Sequence, residues 1–173
     1  MQMQRLMDSD AWLKTSMSVI AFFVLVSSSF VAIPIEPVPI TMQTLAVTLT
    51  GVVLGARLGP IVVMVWLIAG WLGLPVLAMG NGGLDELVDP TAGYLYSFPL
   101  IAWVAAKLDG YRSSMQSFFA LLTAHALCLV LGAAWLVMYV GFRDAIILGI
   151  VPFMIGAVLK SLLGTLILLV IRS

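Results

Sequence analysis

Charged residues are scarce in this sequence. Only 9% of its 173 residues are Asp, Glu, Lys or Arg, whereas 62% are hydrophobic. A soluble domain carries roughly 25% charged residues, so this chain lacks the charge that a water-facing surface needs. We therefore expect lipid to be its solvent and residues 1–173 to form one integral membrane domain. The formal net charge is zero, which gives no indication of a nucleic-acid partner.

Cysteine and histidine are almost absent, and this excludes several chemistries. The one cysteine, Cys128, cannot form an internal disulfide. The one histidine, His125, does not support a His-based metal site, and we expect neither a metal nor another cofactor. The chain has no phosphate-binding G-x-x-x-x-G-K-[ST] motif and no activated serine in a G-x-S context. We therefore expect that it is not an enzyme.

Long apolar runs are what the sequence does contain, and a spanning helix needs about 20 such residues. Prolines, glycines and polar clusters divide the runs, which predicts an all-α polytopic protein with six transmembrane helices. The predicted helices cover residues 15–33, 42–54, 60–72, 93–108, 115–139 and 145–171. We predict a tight turn at residues 55–60, between the second and third helices. Gly51 and Gly55 form a G-x-x-x-G motif that allows close approach of backbones.

One long stretch is incompatible with a membrane helix. Residues 74–94, LPVLAMGNGGLDELVDPTAGY, combine prolines, glycines and acidic residues between the third and fourth predicted helices. Loops of this length inside a compact protein are usually functional or disordered. We interpret the stretch as a structured lid or wall over a cavity. A plain connector between helices is the alternative.

The basic residues predict how the protein lies in the membrane. Six spans would place six basic residues on one side: Arg5, Lys14, Arg57, Lys107, Arg112 and Arg172. The opposite side would hold Arg143 alone. Because cytoplasmic loops carry an excess of Lys and Arg, we expect a multi-pass protein of the cell membrane with both termini in the cytoplasm. The same orientation makes the stretch 74–94 an external loop.

Lys160 is the most informative single residue, because it lies deep within the last apolar run. A charged side chain at the bilayer centre costs at least about 2.5–3.5 kcal/mol, so we expect Lys160 to face an interior cavity. Its partner should come from the long loop or from a bound ligand, and snorkelling to an interface is the alternative. For His125, a ligand contact, a proton relay and a hydrogen bond to a neighbouring helix all remain open.

Three motifs resemble the BioY family, the biotin-specific S components of energy-coupling-factor (ECF) transporters. They read PVPITMQTLAVTLTGVVLGARLG (37–59), GLPVLAMGNGG (73–83) and DPTAGYLYSFPL (89–100). Their order and spacing also fit, and the resemblance covers nearly the whole chain. It implies a six-helix protein that binds biotin near the outer face, under the external loop. It also implies partnership with a transmembrane T component and ATPase subunits.

A fourth motif departs from the family pattern, which resembles PF-x-x-G-D-x-x-K. Residues 152–160 read PFMIGAVLK, so Lys160 matches while Ala157 stands where the family has an acid. A carboxylate can accept N–H bonds from a ureido ring, and alanine cannot. Either another acceptor such as Asn81 or Asp89 substitutes, or affinity is lower, or the ligand differs. Lipoate is the alternative ligand to biotin.

The predicted substrate-binding residues follow from the loop and from this motif. We expect Lys160 to pair with the carboxylate or another polar end of the ligand. The other expected site residues are Asn81, Gly82 and Gly83 on the loop side, Asp89, Thr91, Gly93 and Tyr94 around the opposite wall, and Ala157 beside the lysine. A membrane protein that only packs against partners, and a proton-coupled carrier that acts alone, remain the competing classes.

Overall fold

The computed structural model describes the backbone of residues 2–110 and 113–173, and the side chains of those residues from Ala11 onward. Within these ranges the chain is mainly helical, in agreement with the predicted class. The α-helices are α1 (Gln2–Ser29), α2 (Gln43–Trp71), α3 (Ala92–Asp109), α4 (Ser114–Val140), α5 (Phe142–Gly149) and α6 (Val151–Arg172). Two short strands, β1 (Ala32–Ile33) and β2 (Ile40–Thr41), pair antiparallel between α1 and α2.

Helix α2 consists of two helical parts that fold back on each other at Gly55. Gly55 has φ 81° and ψ 170°, a conformation that glycine adopts without steric cost. A Cβ atom on Gly59 would lie 2.6 Å from the Cα of Gly51. Residues eight apart in a straight helix are separated by about 12 Å, so the chain must reverse between these two glycines. The sequence therefore predicted this break and the close backbone approach at Gly51.

The predicted turn at residues 55–60 is longer than the real one, because helix resumes directly after Gly55. Pro60 lies within the first turns of the second helical part, where a missing N–H costs few hydrogen bonds. The last predicted helix, 145–171, is wrong as a single helix. The chain is divided at Ile150 into α5 and α6. Pro152 explains the division, because it cannot donate a hydrogen bond back to the preceding turn.

The first helix begins earlier than predicted, at Gln2 rather than near residue 15. Polar residues also form helix where water can solvate them, so the apolar pattern marks only the part of α1 that lipid would surround. Arg5 and Arg112, two of the six basic residues in the orientation count, have side chains outside the described part of the chain. The predicted orientation therefore stays a prediction.

Four helical segments of the described chain are long and apolar enough to cross a membrane. They are Ala11–Ser29, Gln43–Trp71, Ser114–Val140 and Phe142–Arg172. This finding identifies a membrane protein by length and composition. The segment Gln43–Trp71 includes the reversal at Gly55, and α3 is not among the four, so the count of six spans remains a prediction.

The centre of the fold is built by close contacts among α2, α3 and α4. A Cβ atom on Gly51 would lie 2.0 Å from the carbonyl oxygen of Ala102 on α3. A Cβ atom on Gly132 of α4 would lie 2.1 Å from the ring of Tyr94. Only glycine fits at these two contacts, and the second one lets the ring of Tyr94 pack directly on the backbone of α4.

The connection between α2 and α3, here called the α2–α3 loop (residues 72–91), is ordered by contacts on several sides. It contains two short 3₁₀ turns, Ala78–Gly80 and Leu84–Leu87, and the side chain of Leu77 is fully buried. Three aromatic side chains of α3 and α4 donate hydrogen bonds to consecutive loop carbonyls: Tyr96 to Leu87, Tyr139 to Val88 and Trp135 to Asp89. The loop is therefore held as a wall against the helices.

Candidate functional site

A partly enclosed cavity with mainly apolar walls and several polar side chains lies among α2, α3, α4 and α6, and the α2–α3 loop and the segment before β2 complete its walls. About 70 Å³ of it is open to the centres of water molecules. One water needs at least about 10–15 Å³ by this measure, so the cavity holds several. Its most polar side chains are Thr41, Gln43, Thr44, Glu86, Thr91, His125 and Lys160. Its apolar walls include Leu95, Phe98, Leu129 and Phe153.

Lys160 reaches this cavity from α6. Its Nζ atom lies 2.5 Å from the carbonyl oxygen of Thr41 and 3.0 Å from Oγ1 of Thr44. In the described part of the chain, no carboxylate forms an ion pair with Lys160. The partners within the described chain are thus neutral oxygens of two other elements, β2 and α2, and an anionic partner from a bound ligand stays a prediction. An ammonium group has three N–H donors, so these two contacts leave one donor for a ligand.

A chain of hydrogen bonds holds Thr41 in position for this contact. Thr41 Oγ1 donates to Oε1 of Gln43 at 3.1 Å, and Nε2 of Gln43 donates to Oγ of Ser29 at 3.0 Å. Ser29 in turn donates to the carbonyl of Val76 in the α2–α3 loop at 2.7 Å. The residues that contact Lys160 are therefore tied both to the end of α1 and to the loop.

His125 lines the same cavity from α4, with only 3% of its surface exposed. Its Nδ1 atom lies 2.8 Å from the carbonyl oxygen of Leu121 and 3.2 Å from Oγ of Ser161. No atom of the described residues forms a hydrogen bond with its Nε2. One ring nitrogen is thus held by the protein, and the other is buried without a hydrogen-bond partner among the described residues.

The structure brings four of the predicted site residues together at the cavity: Thr91, Tyr94, Ala157 and Lys160. The hydroxyl of Tyr94 donates to the carbonyl of Gly149 at 2.8 Å, so this side chain presents its ring rather than a free hydroxyl. The small side chain of Ala157 leaves space in the wall on the same helix as Lys160. That these four residues contact a ligand stays a prediction.

Gly82 and Gly83 are not among the residues that line the cavity, and their predicted contact with a ligand stays a prediction. The N–H of Gly83 donates to the carbonyl of Gly70 at 2.8 Å, at the end of α2. A Cβ atom on Gly82 would lie 2.3 Å from the carbonyl oxygen of Leu74. The two glycines allow the loop to pack tightly on α2, which explains their position away from the cavity.

Asn81, Asp89 and Gly93 also lie outside the cavity lining. Oδ1 of Asp89 accepts the backbone N–H of Thr91 at 2.7 Å, so this carboxylate orders the start of α3. The side chain of Asn81 forms a hydrogen bond with Glu86. Gly93 packs against the side chain of Trp135. These residues position the wall of the cavity rather than form it, because local partners already occupy their polar groups.

Glu86 lines the cavity and was not among the predicted site residues. Burial raises the pKa of the Glu86 carboxyl, the negative charge of Asp89 raises it further, and the hydrogen bond from Asn81 acts in the opposite direction. The sequence marked this acid only as one of several in a polar loop. Its placement at the cavity depends on the 3₁₀ turn Leu84–Leu87, which no local sequence pattern predicted. Gln43, Thr44 and His125 carried a clearer signal, as polar residues within apolar runs.

A membrane chain whose helices enclose a mainly apolar cavity with a partly buried ammonium group has the features of a membrane-embedded solute-binding protein. Comparison with known proteins defines the class more narrowly. The model of the BioY family matches residues 3–173. The chain belongs to this family, whose members are transporter components rather than enzymes.

Two relatives and one solved structure illustrate the similarity. The probable biotin transporter BioY of Pyrococcus horikoshii is 36% identical over 146 residues, which cover 83% of this chain and 88% of that protein. The biotin transporter BioY of Thermotoga maritima is 36% identical over 151 residues, covering 86% and 89%. A crystal structure of the S-component for biotin from an ECF-type ABC transporter matches with a TM-score of 0.87 at 25% identity, covering 95% of this chain and 93% of that one.

Proposed function

We propose that this chain captures biotin in the cavity and delivers it inward as the S component of an ECF transporter. The observation that carries the proposal is the Lys160 ammonium group, which faces the cavity and contacts only neutral oxygens among the described residues. A carboxylate that enters from water would neutralise this charge. The names of the relatives support biotin as the ligand, and the similar S-component supports a T component and ATPase subunits as partners.

In this proposal Lys160 donates its remaining N–H to the biotin carboxylate. A hydrogen bond between two ionised groups is roughly twice as strong as one between neutral groups. The low dielectric constant of an enclosed site strengthens it further. The apolar chain and the fused rings of biotin would pack against Leu95, Phe98 and Phe153, which line the same cavity.

The other predicted site residues divide into two roles. Thr91, Tyr94 and Ala157 form walls that contact the ligand. The remaining residues hold the α2–α3 loop in the position that closes the cavity: Asn81, Gly82, Gly83, Asp89 and Gly93. The hydrogen bonds of Asp89 and Gly83 to the protein backbone support this second role.

The proposed membrane arrangement has six spans, with both termini in the cytoplasm and the α2–α3 loop outside. The reversal at Gly55 supports counting the two parts of α2 as separate spans, each shorter than the about 20 residues of a straight span. The excess of basic residues on one side supports the orientation. An external loop over the cavity is what capture of an extracellular solute requires.

Titration of the purified protein with biotin and with lipoate tests the proposal. Both ligands carry a carboxylate on an alkyl chain, but only biotin has ureido N–H donors. We expect biotin to raise the melting temperature and to bind at least about a hundredfold more tightly than lipoate, because sites built for hydrogen-bonding groups reject analogues that lack them. Tighter binding of lipoate would reassign the ligand, and no thermal shift with either would favour a protein that only packs against partners.

A further inference from the structure

We propose that His125 determines specificity for the ureido ring of biotin, because its Nε2 atom accepts a hydrogen bond from a ureido N–H. This inference rests on the proposed function, since it needs a ligand with N–H donors. It assigns a role to a residue of α4, whereas the sequence placed the expected contacts on the α2–α3 loop, the start of α3 and α6.

The first observation is the unmatched nitrogen. Only 3% of the surface of His125 is exposed, and the residue lines the cavity. Its Nε2 has no hydrogen-bond partner among the described residues. Buried polar atoms in proteins are nearly always paired, and an unpaired one calls for an explanation. A ligand in the cavity supplies the missing partner.

The second observation is the tautomer that the neighbouring groups assign. Nδ1 of His125 lies 2.8 Å from the carbonyl oxygen of Leu121, and a carbonyl can only accept, so Nδ1 carries the proton. Nε2 of the neutral ring then has a lone pair and acts as an acceptor. The hydroxyl of Ser161 donates to the carbonyl of Ala157 at 2.7 Å and lies 3.2 Å from Nδ1. Contacts with α4 and α6 therefore orient the ring.

The third observation is the number of acceptors that the ligand needs. A ureido group has two N–H donors, and each needs an acceptor once it leaves water. The oxygens of Thr41 and Thr44 that face Lys160 already accept from it, and the carboxylate of Glu86, which accepts from Asn81, has further capacity for one of the two donors. The methyl group of Ala157 accepts nothing. The Nε2 atom of His125 is a neutral acceptor that is already buried and oriented before the ligand arrives.

A cycle of two ligands and matched variants tests the inference by isothermal titration. The ligands are biotin and a biotin methylated on both ureido nitrogens, which has lost its donors. We expect His125→Ala to weaken biotin binding about tenfold to hundredfold, the range for leaving a buried donor unpaired. The same substitution should leave affinity for the methylated ligand unchanged or raise it, because that ligand has no N–H to lose and its methyl groups gain space. A loss confined to biotin therefore reports the hydrogen bond.

Two further variants distinguish the loss of a hydrogen-bond acceptor at residue 125 from the loss of its packing. His125→Gln offers a side-chain oxygen and should retain biotin affinity within about threefold, less than the effect of one hydrogen bond. Ala157→Asp should restore much of the biotin affinity of His125→Ala, because a carboxylate at this cavity position accepts N–H bonds. Thr123→Ala, an exposed position on α4, is the control and should change nothing. His125→Leu, which lacks an acceptor but fills space, replaces His125→Ala should that variant fail to fold.

The failures of this inference and of the proposed function are distinguishable. If the unaltered protein does not bind biotin, the proposed function is overturned and this inference with it. If it binds biotin but His125→Ala weakens both ligands equally, His125 only supports the packing of the cavity. Unchanged biotin affinity in His125→Ala overturns the inference outright.

Discussion

Two basic residues of α6 have opposite environments. Near the end of the helix, Nη2 of Arg172 lies 2.5 Å from Oδ2 of Asp109, and its Nη1 donates to Ser117 at 2.9 Å. Ser117 also donates to Asp109, so this cluster joins the ends of α3 and α6 to the start of α4. About 18 Å earlier on the same helix, Lys160 contacts only neutral oxygens among the described residues.

We interpret Arg172 as a structural cation and propose Lys160 as a functional one. In the cluster of Asp109, Ser117 and Arg172, the charges are paired before any ligand is present, so its role is to fasten three helices. At the cavity, Lys160 still has a donor and an unneutralised charge. The comparison predicts that removal of Arg172 mainly reduces stability, whereas removal of Lys160 mainly reduces binding.

Lys160→Met should give the largest effect on ligand binding. We expect biotin affinity to fall by about tenfold to a hundredfold or slightly more, because hydrogen bonds to charged groups contribute about 1.5–3 kcal/mol and each tenfold is about 1.4 kcal/mol. The melting temperature without ligand should stay the same or rise, since a buried charge is removed. Isothermal titration and thermal denaturation measure the two quantities. Lys14→Met, the same change at an exposed lysine, is the control.

Biotin methyl ester shows which end of the ligand Lys160 contacts. The unaltered protein should bind the ester much more weakly than biotin, whereas Lys160→Met should bind both equally, because the ester cannot neutralise the ammonium group. A loss of similar size for both ligands on mutation would move Lys160 to the ureido oxygen. Unchanged biotin affinity in Lys160→Met would end the assignment of this residue to the site.

Arg172→Met should show the opposite behaviour and test the paired cation. Asp109 is 1% exposed, so loss of Arg172 removes a neighbouring cation from a buried carboxylate that still accepts from Ser117. We expect the free energy of unfolding to fall by about 2–3 kcal/mol, less than for a fully buried pair because Arg172 is 25% exposed. The protein that remains folded should bind biotin normally.

The double variant Asp109→Asn with Arg172→Met is the control for this prediction. It removes both charges and should recover most of the lost stability, because no buried carboxylate remains without its neighbouring cation. A fall in biotin affinity as large as that of Lys160→Met would show that the two regions act together, and the comparison would then fail.

The two cations also show what the sequence could reveal. Lys160 was noticed because the penalty for its charge arises within one apolar run and needs no knowledge of the fold. Asp109 and Arg172 each lie next to polar residues at helix ends, where a charged side chain is ordinary. Their pairing depends on how α3 and α6 meet, 63 residues apart in the chain, so no local pattern could predict it.

In the fold, too, local sequence predicted some features and could not predict contacts between distant elements. The reversal at Gly55 was predictable because glycine adopts positive φ readily, and this property belongs to one residue. The partner of Gly83 was not, because it is the carbonyl of Gly70 at the end of α2, which comes close only after folding. The sequence thus indicated that the loop is ordered and near a site. It did not indicate which of its residues face the cavity, and Glu86 was therefore missed.

Trp135→Phe should loosen the wall of the cavity without changing its charge. The substitution removes the N–H that donates to the carbonyl of Asp89 at 3.0 Å and keeps an aromatic ring. We expect biotin to dissociate about fivefold faster, the effect of about 1 kcal/mol from one hydrogen bond. Stopped-flow displacement of labelled biotin measures the rate. Trp12→Phe, at a tryptophan that is 73% exposed, is the control.

A fall in stability with an unchanged dissociation rate would contradict this role for Trp135. The hydrogen bond from Trp135 to Asp89 would then contribute only to stability, as the contacts of Arg172 do. The α2–α3 loop would be a static wall rather than the part that opens for the ligand.

Glu86→Gln should give the smallest effect, and its sign tests whether the cation at the cavity is neutralised by the protein itself. Burial and the charge of Asp89 raise the pKa of Glu86 above its ordinary 4.5. The folded protein then holds this proton more tightly than the unfolded chain, so ionisation at higher pH lowers stability. Glu86→Gln should raise the free energy of unfolding at pH 7 by less than about 0.5 kcal/mol. The gain should vanish below pH 4.5, where both states are protonated.

Thermal denaturation without ligand at pH 4 and pH 7 measures this difference, and Glu36→Gln at an exposed glutamate is the matched control. Glutamine can still accept from Asn81, so the hydrogen bond at Glu86 is retained. If Glu86 paired with Lys160 across the cavity, removal of its charge would instead destabilise the protein at pH 7. That result would make Lys160 a second paired cation like Arg172, and the cavity would no longer need an anion from outside.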